Sequence, residues 1–211
     1  MSKLYFRYGA MNCGKSTALM QVAHNYQENN MKVVLIKSSI DTKGEDCLES
    51  RIGIRRKVDI LLGREGSAKE ALSKFDKIDC ILVDEAQFLK SNQIEELWRI
   101  AKEEDIPVIC YGLRADFQSH LFEGSKRLLE LADEIEELIT ICSCGKRAKF
   151  NARYVNGEFT LKGEEVLIDG SMDNVIYKPL CGKCYLKEIE KYSNKIEEEK
   201  PKEKVMKKHD E

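Results

Sequence analysis

The segment Gly9-Ala10-Met11-Asn12-Cys13-Gly14-Lys15-Ser16 fits the pattern G-x-x-x-x-G-K-[ST] at every defined position. No other stretch constrains the fold as much, because the loop works only between a strand that ends before it and a helix that begins after it. Leu4 to Tyr8 reads as that strand. Thr17 to Ala23 continues as that helix, with its N-terminus facing bound phosphates. Backbone N–H groups turned inward by the two glycines cradle the phosphates, Lys15 reaches the β and γ phosphates, and the Ser16 hydroxyl ligates Mg²⁺. The expected ligand is a nucleoside triphosphate such as ATP with its magnesium.

Downstream, Lys32 to Lys37, Cys80 to Asp84 and Pro107 to Tyr111 are apolar runs of the kind buried parallel strands need, and a last strand is expected around Leu138 to Ile141. Helices are expected from Ser67 to Phe75, from a Ser91 N-cap with Ile94, Leu97 and Ala101 on one face and Trp98 beside them, and from Lys126 to Ala132. Ser38 to Gly66 has no steady period and reads as a long loop with a turn at Gly63 to Gly66. The alternation predicts an α/β fold, a P-loop NTPase-like, mostly parallel sheet with helices on both faces, over residues 1–141. From Cys142 the pattern changes to short segments, Lys149 to Val155 and Glu165 to Ile168, with turns at Asn156-Gly157 and Asp169-Gly170. Residues 142–190 are therefore read as a small appended β module. The Lys/Glu-rich stretch after Lys187 is expected to be helical in its first turns, with 191–211 a disordered charged tail.

A chain of 211 residues holds one good core and a small module. Its net charge of −2 argues against nucleic acid or an anionic membrane as the main partner, and no apolar run spans a bilayer. Because Met1-Ser2-Lys3 leads straight into the first strand, no signal peptide is expected and the cytosol is the expected compartment. There, eight cysteines point to metal rather than disulfides. Cys142-Ser143-Cys144 and Cys181-Gly182-Lys183-Cys184, separated by thirty-six residues, supply four soft ligands for a tetrahedral structural Zn²⁺. Cys13, Cys47, Cys80 and Cys110 read as small apolar residues.

Ile81 to Asp84 is an apolar strand closed by an acid, the form in which an aspartate reaches the metal beside a phosphate loop. Glu85 leaves the same strand tip and is the natural general base. The oxygen it activates stays open: water would make an ATPase, a small-molecule hydroxyl a kinase. Leu113 to Gln118 follows another strand at the same edge and could hold an acceptor or simply pack. An ATP-hydrolysing switch with a zinc docking module is the main rival, but the chain lacks a second motor domain and a basic, aromatic-laced strand-binding face. A nucleotide-binding regulator without turnover is countered by the intact set Lys15, Ser16, Asp84 and Glu85.

Taken together, GAMNCGKST, VDEAQF, CYGLRADFQSHLFEGS, ICSCG and the late CGKC strongly resemble the cellular-type (type II) thymidine kinase family, in order from residue 1 to about 190. The resemblance implies transfer of the ATP γ-phosphate to the 5′-hydroxyl of thymidine, a small zinc domain whose lasso closes over the nucleoside, and a homotetramer. It makes Glu85 the catalytic base and groups Asp84 and Gln87 with residues 9–16 at the nucleotide. Met11, Phe88, Leu113, Phe117 and Phe122 then form the nucleoside pocket, Tyr177 is the lasso tyrosine, and main-chain groups from Leu167 to Tyr177 bind the base. Two departures stand out: the first cysteine pair is C-x-C where many relatives have C-x-x-C, and Asp41-Thr42-Lys43 carries lysine where arginine is common, losing the planar fork that grips phosphate.

Overall fold

The computed structural model describes residues 1–40, 46–50, 53–163 and 174–199. Strand β1 (Leu4–Tyr8) leads through the phosphate loop into helix α1 (Lys15–Glu28), and β2 (Val33–Ser38) follows. Then come β3 (Cys47–Glu49), β4 (Arg55–Lys57), β5 (Ile60–Leu62), α2 (Ala68–Leu72), β6 (Cys80–Asp84), α3 (Ser91–Glu103), β7 (Val108–Gly112), α4 (Glu123–Leu131) and β8 (Glu134–Glu137). Six of these strands form one sheet in the order β5-β2-β6-β7-β1-β8, and every neighbouring pair is parallel.

Apolar side chains at alternate positions divide between the two faces of the sheet. Leu4, Phe6, Ile36, Val83 and Cys110 pack with Leu72 of α2, Leu97 of α3 and Leu128 of α4, and Trp98 sits partly buried at the margin of that cluster. Leu35, Leu82, Ile109 and Tyr111 face Leu19, Met20 and Ala23 of α1 on the other side. All strands run the same way, so their C-terminal tips collect the phosphate loop, Asp84 and Leu113 at one edge, where ligands bind in open α/β sheets.

Four boundaries differ from the sequence reading. The expected long loop from Ser38 to Gly66 contains the antiparallel pair β3–β4 and a sheet strand, β5. Three-residue strands are too short to show a period, and Leu48 and Val58 are recruited by burial against the α1 face. The last sheet strand is β8, not 138–141; its sequence Glu-Ile-Glu-Glu is mostly exposed at a sheet edge, held by backbone pairing to β1 rather than by apolar content. Ser91 is the first residue of α3 rather than its cap, the Lys90 N–H being taken by Gln93 Oε1 at 3.0 Å. Helix α4 begins at Glu123, one turn earlier than expected.

The module comprises β9 (Thr140–Ile141), β10 (Arg147–Ala148), β11 (Phe150–Val155), β12 (Glu158–Phe159), β13 (Val175–Leu180) and α5 (Gly182–Glu199). Antiparallel β9–β10 forms one hairpin, and β11 pairs with both β12 and β13. Asn156 and Gly157, at φ 51° and 85°, make the expected tight turn between β11 and β12. The module's core is small: Ala148, Ala152, Leu180, Tyr185 and two cysteines, with Phe150 stacked on Tyr185 at 4.8 Å. Residues 191–199, expected in a disordered tail, continue α5, with Tyr192 set edge-on to Phe159 at 5.9 Å and Lys195 paired with Glu158 at 2.7 Å. Asp41-Thr42-Lys43, the expected strand and turn at 165–170, and lasso residues 167–173 lie outside the described residues.

Candidate active site

Gly14 precedes α1 with φ 82°, a left-handed conformation that glycine adopts without strain, and Asn12 shares it at 67°. A Cβ on Gly9 would stand 2.5 Å from Cys13 Sγ and 2.6 Å from the Leu138 carbonyl, so the loop closes only with glycine there. Lys15 is buried, its Nζ donating to the Ala10 carbonyl at 3.3 Å and lying 3.8 Å from Cys13 Sγ. The ammonium thus lies across the loop meant to hold phosphate.

Asp84, 3% exposed at the tip of β6, accepts from Ser16 Oγ through Oδ2 at 3.1 Å. Its Oδ1 is buried and has no hydrogen-bond partner among the described residues. Burial, then the charge of Glu85, pushes the Asp84 carboxyl up to about 7, against the pull of the Glu85 backbone amide, Ser16 and Lys15. An orphaned carboxylate oxygen beside a hydroxyl suits a hard dication with oxygen ligands, and Mg²⁺ fits that donor set.

Glu85 leaves the strand in a left-handed conformation, φ 50°, and is partly exposed. A single 3₁₀ turn, Ala86–Phe88, follows it. Gln87, 2% exposed, donates from Nε2 to Glu85 Oε2 at 2.5 Å and accepts the Leu113 N–H through Oε1 at 3.0 Å. Both polar ends of Gln87, grouped with the nucleotide site in the sequence reading, are therefore engaged within the protein.

The expected nucleoside residues are tied into the same end of the sheet. Phe88 and Phe122 meet edge to face at 5.7 Å. Phe117 is buried beneath Arg153, whose guanidinium carbon stands 3.5 Å from the ring centre; Arg153 Nε also donates to the Tyr177 hydroxyl at 3.0 Å. Asn151 Oδ1 accepts the Met11 N–H at 2.8 Å while its Nδ2 donates to the Ala115 carbonyl at 3.1 Å. The Tyr185 hydroxyl donates to the Phe117 carbonyl at 2.5 Å.

Asn151, Arg153 and Tyr185 thus grip the Leu113 to Gln118 loop from the module side, and sequence reasoning missed all three. The only signal for Asn151 and Arg153 was the mixture of polar and aromatic residues in Phe150-Asn151-Ala152-Arg153-Tyr154, and for Tyr185 its place directly after Cys184; neither says which side chains turn inward.

The sulfurs of Cys142, Cys144, Cys181 and Cys184 all lie within 4.8 Å of one another. Tetrahedral zinc with Zn–S near 2.3 Å sets sulfurs about 3.8 Å apart, so the four thiols fit the ion. Burial raises the Cys142 thiol, but the Cys144 and Cys181 backbone amides outweigh it and draw it down to about 6. The C-x-C spacing therefore still brings both of its sulfurs to the cluster. Of the remaining cysteines, Cys80 and Cys110 are buried in the core and Cys13 and Cys47 are half-buried.

Fold and site together define a phosphate-loop nucleotide-binding protein with an acid pair at the strand tip and a thiolate-clustered β module. The family model for thymidine kinase matches residues 2–185. The chain is 45% identical over 188 residues to the thymidine kinase of Enterococcus faecalis, covering 88% of this chain and 95% of that protein. It is 46% identical over 176 residues to that of Mannheimia succiniciproducens, covering 81% and 90%, and 42% identical over 187 residues to that of Chromobacterium violaceum, covering 88% and 98%. The chain belongs to the thymidine kinase family. Among solved structures a DNA replication initiation factor is similar over 65% of this chain and 40% of its own, at 18% identity and a TM-score of 0.42.

Proposed function

We propose that this protein transfers the γ-phosphoryl group of ATP to the 5′-hydroxyl of thymidine, giving the 5′-monophosphate for deoxynucleoside salvage. The observation that carries this reading is the linkage at one sheet edge of the phosphate loop, through Ser16 and Asp84, to an acid, Glu85, that is itself tied to the Leu113 loop. A water-activating ATPase has no need to fasten its base to an aromatic acceptor loop.

In this reading the loop amides and Lys15 hold the triphosphate, and Ser16 and Asp84 hold Mg²⁺, which neutralises charge on the phosphates when bound. Glu85 accepts the proton of the 5′-hydroxyl as the new O–P bond forms and the bond to ADP breaks. Phe88, Leu113, Phe117, Phe122, Met11 and Tyr177 seat the nucleoside. The four thiolates form a closed zinc site with no position left for substrate, so its role is to pin the module. A cytoplasmic homotetramer completes the proposal; among the described residues no helix is long and apolar enough to cross a membrane.

Incubating the purified protein with ATP, Mg²⁺ and each nucleoside in turn tests the reading directly. Thymidine 5′-monophosphate is the expected product, and Glu85→Gln should lower its formation by about 10²–10⁴ with ATP affinity nearly unchanged. Nucleoside-independent ADP release, with no monophosphate formed, would establish the ATPase instead.

A further inference from the structure

Gln87 stands where the two halves of the chemistry meet. Its amide orientation is forced: the Leu113 N–H can be satisfied only by Oε1, at 3.0 Å, so Nε2 must face Glu85 Oε2, at 2.5 Å. The side chain packs closely against Gly112, where an added Cβ would lie 2.7 Å from Gln87 Oε1 and 3.1 Å from its backbone nitrogen. Leu113 is held from its other side as well, its carbonyl accepting from Ser125 Oγ at 2.5 Å. Glu85 needs such a tether, since its left-handed backbone sends the side chain off the strand with no other described hydrogen bond to its carboxylate.

We propose that Gln87 is a positioning residue, an amide bridge that sets the Glu85 carboxylate in register with the nucleoside seat at Leu113 and makes no contact with ATP. The inference rests on Glu85 being the base. Acceptor and base are then located by one rigid side chain, so the reacting hydroxyl and its proton acceptor arrive together. Displacing a catalytic group by about 1 Å costs on the order of 10²-fold in rate, and losing the tether should approach that figure.

The test is a double-mutant cycle with steady-state kinetics in both substrates. Gln87→Met is expected to lower kcat by roughly 10- to 100-fold while leaving the KM for ATP within about twofold. In the Glu85→Gln background the same change should cost nothing further, because the group it positions is gone. Gln87→Asn guards against misfolding: it is neutral and smaller, but one methylene too short to bond both Glu85 and Leu113, so it should titrate ATP like the wild type and still lose kcat.

Losses that multiply in the double variant would overturn the proposal. A raised KM for ATP at unchanged kcat would also overturn it and make Gln87 a nucleotide contact, and so would a folded Gln87→Asn enzyme with wild-type kcat. Failure of the underlying reading looks different: Glu85→Gln alone would then keep its turnover.

Discussion

Replacing Asn151 by leucine, which has the same branched skeleton though a larger volume, removes the amide that joins the module to the phosphate loop and to the Leu113 to Gln118 loop. The residue is 6% exposed on β11, and it holds the Met11 N–H at 2.8 Å and the Ala115 carbonyl at 3.1 Å. Each orphaned group costs about 1–3 kcal/mol; Met11 and Ala115 are only half-buried, so the low end applies and roughly 2–3 kcal/mol in total is expected. For a chain of this size that is a fall in Tm of roughly 5–10 °C. Thermal melts followed by circular dichroism, at matched protein and zinc concentrations, read it. Because one bond goes to the phosphate loop and the other to the loop proposed to seat the nucleoside, the KM values for ATP and thymidine should both rise. A leucine variant that melts within about 1 °C of the wild type, with both KM values intact, would refute the idea that this amide clasps module to sheet.

Lys15→Ala should weaken ATP affinity and turnover together while thymidine affinity changes less; equal ATP titrations before and after would remove Lys15 from the site. Cys181→Ser should lower zinc content and chiefly raise the thymidine KM, with ATP still bound; full zinc occupancy by metal analysis, or unchanged thymidine affinity after its loss, would contradict the pinning role. Asp133 gives a pH test. Burial raises its carboxyl, but the Lys102 ammonium at 2.5 Å and the Leu4 amide at 2.7 Å hold it below the usual carboxylate value of 3.8. A depressed carboxylate stabilises above its unfolded value and loses that contribution as pH falls through its folded one. Asp133→Asn should therefore destabilise at neutral pH, and the gap to the wild type should close in melts taken below pH 3.8; a gap independent of pH would show that charge is not involved.

The chain's own pattern announced the phosphate loop, the apolar strands β2, β6 and β7, and the two cysteine pairs. Each of these is dictated locally: glycine at a left-handed position, continuous burial on both faces of a parallel strand, thiolates at ligand spacing. Strands β5 and β8 were not legible, because they are held by pairing to β2 and β1 elsewhere in the chain, and β3 and β4, which pair with each other, are too short to show a period. At the site, the sequence alone named Lys15, Ser16, Asp84 and Glu85, which sit within or directly beside recognisable motifs. The ties from Gln87 to Leu113, from Asn151 to Met11 and Ala115, and from Arg153 to Phe117 and Tyr177 span 24 to 140 residues, apart from the neighbouring Glu85–Gln87 bond. A hydrogen bond between side chain and distant backbone leaves no mark on spacing or hydropathy, so only the folded chain could decide which polar residues turn inward and which substrate loop each one holds.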